Sequence, residues 1–143
     1  MITQGMCTSF KVGLLNGDFD FGAGTTQTFK IALYTSAATI SPATTAYTTT
    51  NETVGSGYTA GGQTLSVSVV PTSTGTTAYL DFSDVTWPVT SITARGALIY
   101  KADGVTNPAI AVLEFGEDKT TNGGDFVVKF PATDAATAII RIA

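Results

Sequence analysis

The sequence predicts an all-β domain, a β-sandwich of jelly-roll-like type that carries one short N-terminal helix. Three observations carry that prediction. Apolar residues alternate with polar ones in about seven short runs, the period of half-buried strands. Gly, Pro, Asn and Asp punctuate those runs where the chain must turn. Charged residues make up only 13% of the 143, against about 25% in an average soluble domain. Threonine fills much of the gap, and its β-branch packs well on a pleated surface. The length suits one domain, 1–143, with a core that needs no staples.

Residues 1–6 read as an N-terminal arm. Over 8–16 the pattern turns helical, with Phe10 and Leu14 four apart and Leu15 beside them. Thr8 or Ser9 suits the N-cap and Gly17 the stop. Gly13 weakens this helix by about 1 kcal/mol relative to alanine. Phe19 and Phe21 straddle Asp20 and are expected to plug the end of the sandwich. Phe29, Ile31 and Leu33 alternate with Lys30, Ala32 and Tyr34, a strand with one core face. The segment 35–62 is a long loop rich in Thr, Ser, Ala and Gly, with short strand pieces expected near Ala46 and Tyr47. Loops of that length are usually functional or mobile. Leu65, Val67 and Val69 form an alternating strand that Pro71 ends.

The stretch 79–100 is the centre of the chain and holds its only tryptophan. Leu80 and Phe82 alternate with Tyr79, Asp81 and Ser83, but Val85 and Trp87 fall in the opposite phase. A bulge at Ser83-Asp84 would produce that slip, and Pro88 ends the run. Residues 92–100 put Ile92, Ala94, Gly96, Leu98 and Tyr100 on one face and Thr93, Arg95, Ala97 and Ile99 on the other. Asp103-Gly104 turns the chain into a strand over 109–115. There Ala111, Leu113 and Phe115 face one way, Ile110 and Val112 the other, so the strand is central or covered by a partner. Residues 116–124 read as a polar hairpin tip. Phe126, Val128 and Phe130 mark the next strand, stopped by Pro131, and Ile140 and Ile142 the last. The expected core is Leu80, Phe82, Trp87, Leu98, Leu113, Phe115, Phe126 and Phe130.

Composition narrows the chemistry. The absence of histidine excludes Ser-His-Asp and Cys-His catalysis and removes the commonest transition-metal ligand. The single Cys7 forms no internal disulfide and reads as a structural thiol. A net charge of −4 argues against nucleic-acid binding, which needs a basic stripe. With no signal-peptide pattern and no run of about 20 apolar residues, the protein is expected to be soluble, apart from membranes and not secreted by a cleavable signal.

Asp18 and Asp20 open like a calcium loop, but Gly22 and Phe29 stand where oxygen ligands belong. Gly55-Ser56-Gly57 is a turn rather than a nucleophile elbow. Only carboxylates remain: Glu114, Glu117 and Asp118 together, and Asp81 with Asp84. A glycosidase needs two carboxyls about 5–9.5 Å apart in a cleft, whereas acids on a hairpin tip read as a solvated turn. No catalytic, metal or cofactor residue is assigned, no cofactor is expected, and the chain is read as no enzyme.

In order along the chain, MCTSFKVGLLNGDFDF, FKIALYTSAATI, TTAYTTTNE, GSGYTAGGQTL, TAYLDFSDVTWP, ITARGALIYKA and AVLEFGEDKTTNGGDFVVKFP resemble the small virion structural proteins of tailed bacteriophages. The similarity covers nearly the whole chain. It implies a virion component with no family active-site motif to carry over. Several such proteins are capsid cement or decoration proteins, and others belong to tails or fibres.

The function expected from the resemblance is a decoration protein that stabilises the major capsid shell. It would be made in the host cytoplasm and sit on the capsid surface. Its partners would be the major capsid protein or other virion proteins, together with copies of itself. The alternative is a tail or head-fibre component, an adhesive module that offers exposed tyrosines to a receptor or glycan. The contacts are expected from the 1–6 arm and the 35–62 loop, whose only charged side chain is Glu52. The candidate contact residues are Tyr47, Glu52 and Tyr58 in that loop, with Ile110 and Val112 on the 109–115 strand.

Overall fold

In the computed structural model, which describes residues 1–143, the runs of alternating residues become ten strands around one helix. The chain passes through β1 (Gly5–Met6), α1 (Thr8–Asn16), β2 (Phe29–Tyr34), β3 (Gln63–Leu65), β4 (Val67–Thr74) and β5 (Thr77–Phe82). It continues through β6 (Val85–Thr90), β7 (Thr93–Lys101), β8 (Ala109–Thr120), β9 (Gly124–Val128) and β10 (Ile140–Ile142). A five-stranded sheet has the order β1-β8-β7-β2-β3, a three-stranded sheet β10-β5-β4, and a two-stranded sheet pairs β6 with β9. Every pairing of strands is antiparallel. One cluster of 29 buried hydrophobic residues draws on all three sheets. The architecture is the all-β, sandwich-like fold with a single short helix that the alternation predicts.

The centre of the large sheet is buried on both faces. In β7, Gly96 through Tyr100 are buried without a break, and in β2 only Lys30 is partly exposed. The prediction of one core face for β2 is corrected here, because Ala32 and Tyr34 on the other face are buried as well, with Tyr34 bonded to Thr48 of the 35–62 loop. The same loop continues along the edge of β2. Leu33 N–H bonds to the Tyr58 hydroxyl at 2.9 Å, and Thr53 N–H bonds back to the Leu33 carbonyl at 2.8 Å. Gly62, at φ 72°, lies so close to the Ile31 carbonyl that a Cβ would overlap it. The strand piece expected near Ala46 is present as an antiparallel bridge to Pro108.

Residues 1–6 are no free arm. The Met1 amine donates to the Ala38 carbonyl at 2.9 Å, Ile2 bridges Ile40, and Gly5 and Met6 pair with Val112 and Ala111. The physical reason is the open edge of β8, whose backbone groups need partners. Ile2 also fits beside Gly96, where a Cβ would come within 2.9 Å of its Cδ1.

In α1 the stop at Gly17 is as predicted, with φ 79°. The N-cap is Cys7 rather than Thr8 or Ser9, with extended φ/ψ and no side-chain cap bond. Gly13 has a packing role, since a Cβ there would come 2.5 Å from Phe19 Cε2. Phe21 is buried and stacks on Phe29 at 4.4 Å, while Phe10 meets Phe19 edge-on at 4.8 Å.

Other boundaries shift for identifiable reasons. The phase slip at Ser83-Asp84 is a change of sheet, because β5 pairs with β4 and β10 while β6 pairs with β9. The alternation over 65–69 likewise divides at Ser66, with β3 on β2 and β4 on β5. Pro71 and Pro88 end no strand. Each falls at a register irregularity, between Val69 and Thr72 and between Trp87 and Thr90, where the ladder makes no demand on an N–H. β8 runs on to Thr120 through Gly116 at φ 81°, so the polar tip is shorter than 116–124. Of the expected core, Leu80, Phe82, Trp87, Leu98 and Phe126 are buried, whereas Leu113, Phe115 and Phe130 lie at its margin.

Candidate functional site

Three of the five candidate contact residues meet, with Tyr47 and Tyr58 partly buried around the buried Glu52. An antiparallel bridge sets Glu52 opposite Tyr34 at the end of β2, and its side chain is only 6% exposed. The Tyr47 hydroxyl donates to Glu52 Oε2 at 2.7 Å, and the Tyr58 hydroxyl and Gly61 N–H donate to Oε1 at 2.6 and 2.7 Å. The Tyr100 hydroxyl reaches the Gly61 carbonyl at 2.8 Å, and the Tyr47 and Tyr100 rings stack at 4.7 Å. Tyr34 donates to the Thr48 carbonyl at 2.5 Å. A buried carboxylate without a cation is costly unless donors surround it, and these phenols and the amide do so.

Burial pushes the Tyr100 phenol up to about 12, with the Glu52 charge adding to it. Tyr34, Tyr47 and Tyr58 are raised in the same direction, each chiefly by burial. None of the clefts is lined by Tyr47, Glu52 or Tyr58. The cluster therefore fastens the 35–62 loop to the large sheet. Tyr47 and Tyr58 are partly buried, with their hydroxyls committed to Glu52.

Ile110 and Val112 are corrected as contact residues. Both have no exposed surface. The N-terminal segment takes the edge of their strand, where Cys7 N–H bonds to the Ile110 carbonyl at 2.8 Å and Gly5 pairs with Val112, and α1 packs against β8.

The carboxylates that could do acid–base work are engaged elsewhere. Arg95 Nε donates to Glu114 at 2.6 Å and holds that carboxyl below its usual range. Lys119 does the same for Glu117, also at 2.6 Å. Asp81 is buried and accepts from Phe82 N–H and the Thr133 hydroxyl, and Asp84 accepts from Phe130 N–H. None of Glu114, Glu117, Asp118, Asp81 or Asp84 lines a cleft. Cys7 is fully buried, and burial pushes its thiol up to about 11, which leaves it unreactive at neutral pH. No three Cys, Asp or Glu side chains come together as a metal-holding group.

What the sequence reading misses is an apolar groove beside α1. Its larger part, about 510 Å³, is lined by residues that include Phe10, Leu14, Phe21, Leu80 and Ile140. A second hollow of about 450 Å³ lies between Met6, Lys11 and Leu15 on one side and Arg141 and Ile142 on the other. The available signal is the Leu14-Leu15 pair, because one helix face cannot bury both neighbours. Leu14 is half-buried and Leu15 is 91% exposed.

Comparison with protein-family models, curated proteins and solved structures finds no match to this chain. No helix is long and apolar enough to cross a membrane.

Proposed function

We propose that the chain is a non-enzymatic structural protein of a tailed-bacteriophage virion, acting as a capsid decoration protein on the major capsid shell. The non-enzymatic half rests on one observation: the thiol and the clustered carboxylates that the sequence singles out are buried or already paired. Glu52 is bound by two phenols and an amide, Glu114 by Arg95, and Cys7 is buried. The virion half rests on the resemblance of the ordered sequence stretches to small phage structural proteins. A charge-poor surface supports the same reading. With 13% charged residues, the domain can lie against a neighbour without desolvating many ions. Repeated sites around a shell make modest affinity per contact sufficient.

Gel densitometry of purified virions tests the proposal. A decoration protein is expected on the order of hundreds of copies per particle, matching the lattice of sites. A handful of copies would move the chain to a tail or fibre, and absence from the particle would overturn the virion reading.

A further inference from the structure

The two hollows beside α1 share Leu14, Arg141 and Ile142, so they form one continuous apolar groove. A knob stands next to the hollow. Leu15 is 91% exposed and Ile142 on the opposite wall 55%. That wall is β10, paired with β5 on one side only and therefore the edge of its sheet. Nothing in residues 1–143 fills the groove.

Its two ends carry opposite charge. Lys11 borders the Met6 end and Arg141 the junction, and neither has a carboxylate within 4.0 Å. Arg141 acts on Asp134 only at longer range, as the smallest influence on that carboxyl. Asp20 borders the opposite end, beside Phe19 and Phe21. Its Oδ1 accepts from Gly22 N–H at 2.8 Å, and no cation pairs with it.

A two-fold axis through the middle of such a groove superposes each end of one copy on the other end of its partner. It carries the Leu15 knob toward the larger hollow of the second copy and sets Lys11 toward Asp20; the two copies' Arg141 side chains, at the junction, meet near the axis as the one like-charge contact. An unrelated partner would have no need for both a knob with its hollow and a cation with its anion on one face. We propose that this groove is a self-association face, where a second copy seats Leu15 in the larger hollow and Lys11 against Asp20, giving an isologous dimer. The proposal stands apart from the virion reading, because a dimer in solution neither requires nor excludes a capsid.

Sedimentation velocity on the purified chain tests it. The wild-type protein is expected to sediment as a dimer, and Leu15→Glu to raise the dimer dissociation constant about tenfold or more, since a carboxylate would enter an apolar hollow. Asp20→Lys alone sets like charges together at both ends, and so does Lys11→Asp alone, so each weakens its own homodimer. Mixed in equal amounts, the Asp20→Lys and Lys11→Asp chains are expected to form a 1:1 heterodimer, because both contacts then pair opposite charges. Asp20→Asn keeps an acceptor for Gly22 N–H and still weakens the dimer, which covers the case in which Asp20→Lys disturbs its loop. A wild-type chain that stays monomeric up to about 100 μM overturns the proposal. So does a dimer indifferent to Leu15→Glu, or well-folded charge variants that do not recover a dimer on mixing.

Discussion

Tyr58 joins two segments through one hydroxyl, which accepts from Leu33 N–H on β2 and donates to Glu52 in the loop. Tyr58→Phe leaves a backbone donor and a buried carboxylate each short of a partner. The expected loss is about 1–3 kcal/mol, read as a lower midpoint in urea at unchanged slope. An unchanged midpoint would mean that water replaces the hydroxyl without cost. The sequence marks this cluster without showing its direction. Glu52 stands out as the one charge in 35–62, with Tyr47 and Tyr58 close by. Their inward orientation depends on Tyr100, which stacks on Tyr47 from a distant strand. No local pattern encodes that contact, because a loop has no alternation to show which way a side chain faces. Ile110 and Val112 mislead for the opposite reason: alternation assigns them correctly to one face of β8, but cannot tell that the fold buries that face completely.

Among the elements, those with a strong local period are the legible ones. The helix over 8–16 and the strands at Phe29–Tyr34 and Ile140–Ile142 stand where periodicity puts them. The irregular segments are missed because their structure comes from the surfaces they meet. β1 is the clearest case, a two-residue strand with no period of its own that forms because β8 offers an open edge. Deleting residues 1–6 should therefore behave as loss of a core element. It removes Ile2, which is 9% exposed, and its bridge to Ile40, and it reopens the edge of β8 at Ala111 and Val112. The shortened chain is expected to melt at a distinctly lower temperature, with faster amide exchange over 110–113 than in the full chain. Equal melting temperatures and equal exchange would mean that these residues are an accessory arm after all.

At the scale of the whole molecule, the class of fold is legible and the partition into sheets is not. Alternation fixes which residues of a strand point inward, whereas membership of a sheet is decided by distant partners, as the passage from β5 to β6 shows. Composition also sets how the molecule responds to pH. There is no histidine, so the side chain that ordinarily titrates between about pH 5 and 8 is missing. On the acid side, the Asn107 amide, then that of Val105, holds the Asp103 carboxyl at about 2, below its ordinary 3.8. Glu114, Glu117 and Asp134 are lowered as well, by Arg95, Lys119 and the Thr137 hydroxyl respectively. A depressed carboxyl contributes stability above its unfolded value and loses it as pH falls through the folded one. Stability should therefore decline below about pH 4 and continue to fall toward pH 2. On the alkaline side, burial raises Cys7 from 9.0 to about 11 and Tyr100 from 10.0 to about 12, with Tyr34, Tyr47 and Tyr58 moved the same way. A raised acid of this kind contributes stability that is complete below its unfolded value and lost as pH climbs through the folded one. The melting temperature is thus expected to be level from about pH 5 to 8, to slope downward from about pH 9, and to fall steeply above pH 10. Tyrosinate absorbance should rise together with unfolding in that last range, because the phenols of the Glu52 cluster ionise only once the cluster opens. A melting temperature that slopes between pH 5 and 8, or tyrosinate that forms well before unfolding, would contradict the buried arrangement of Glu52 and its phenols.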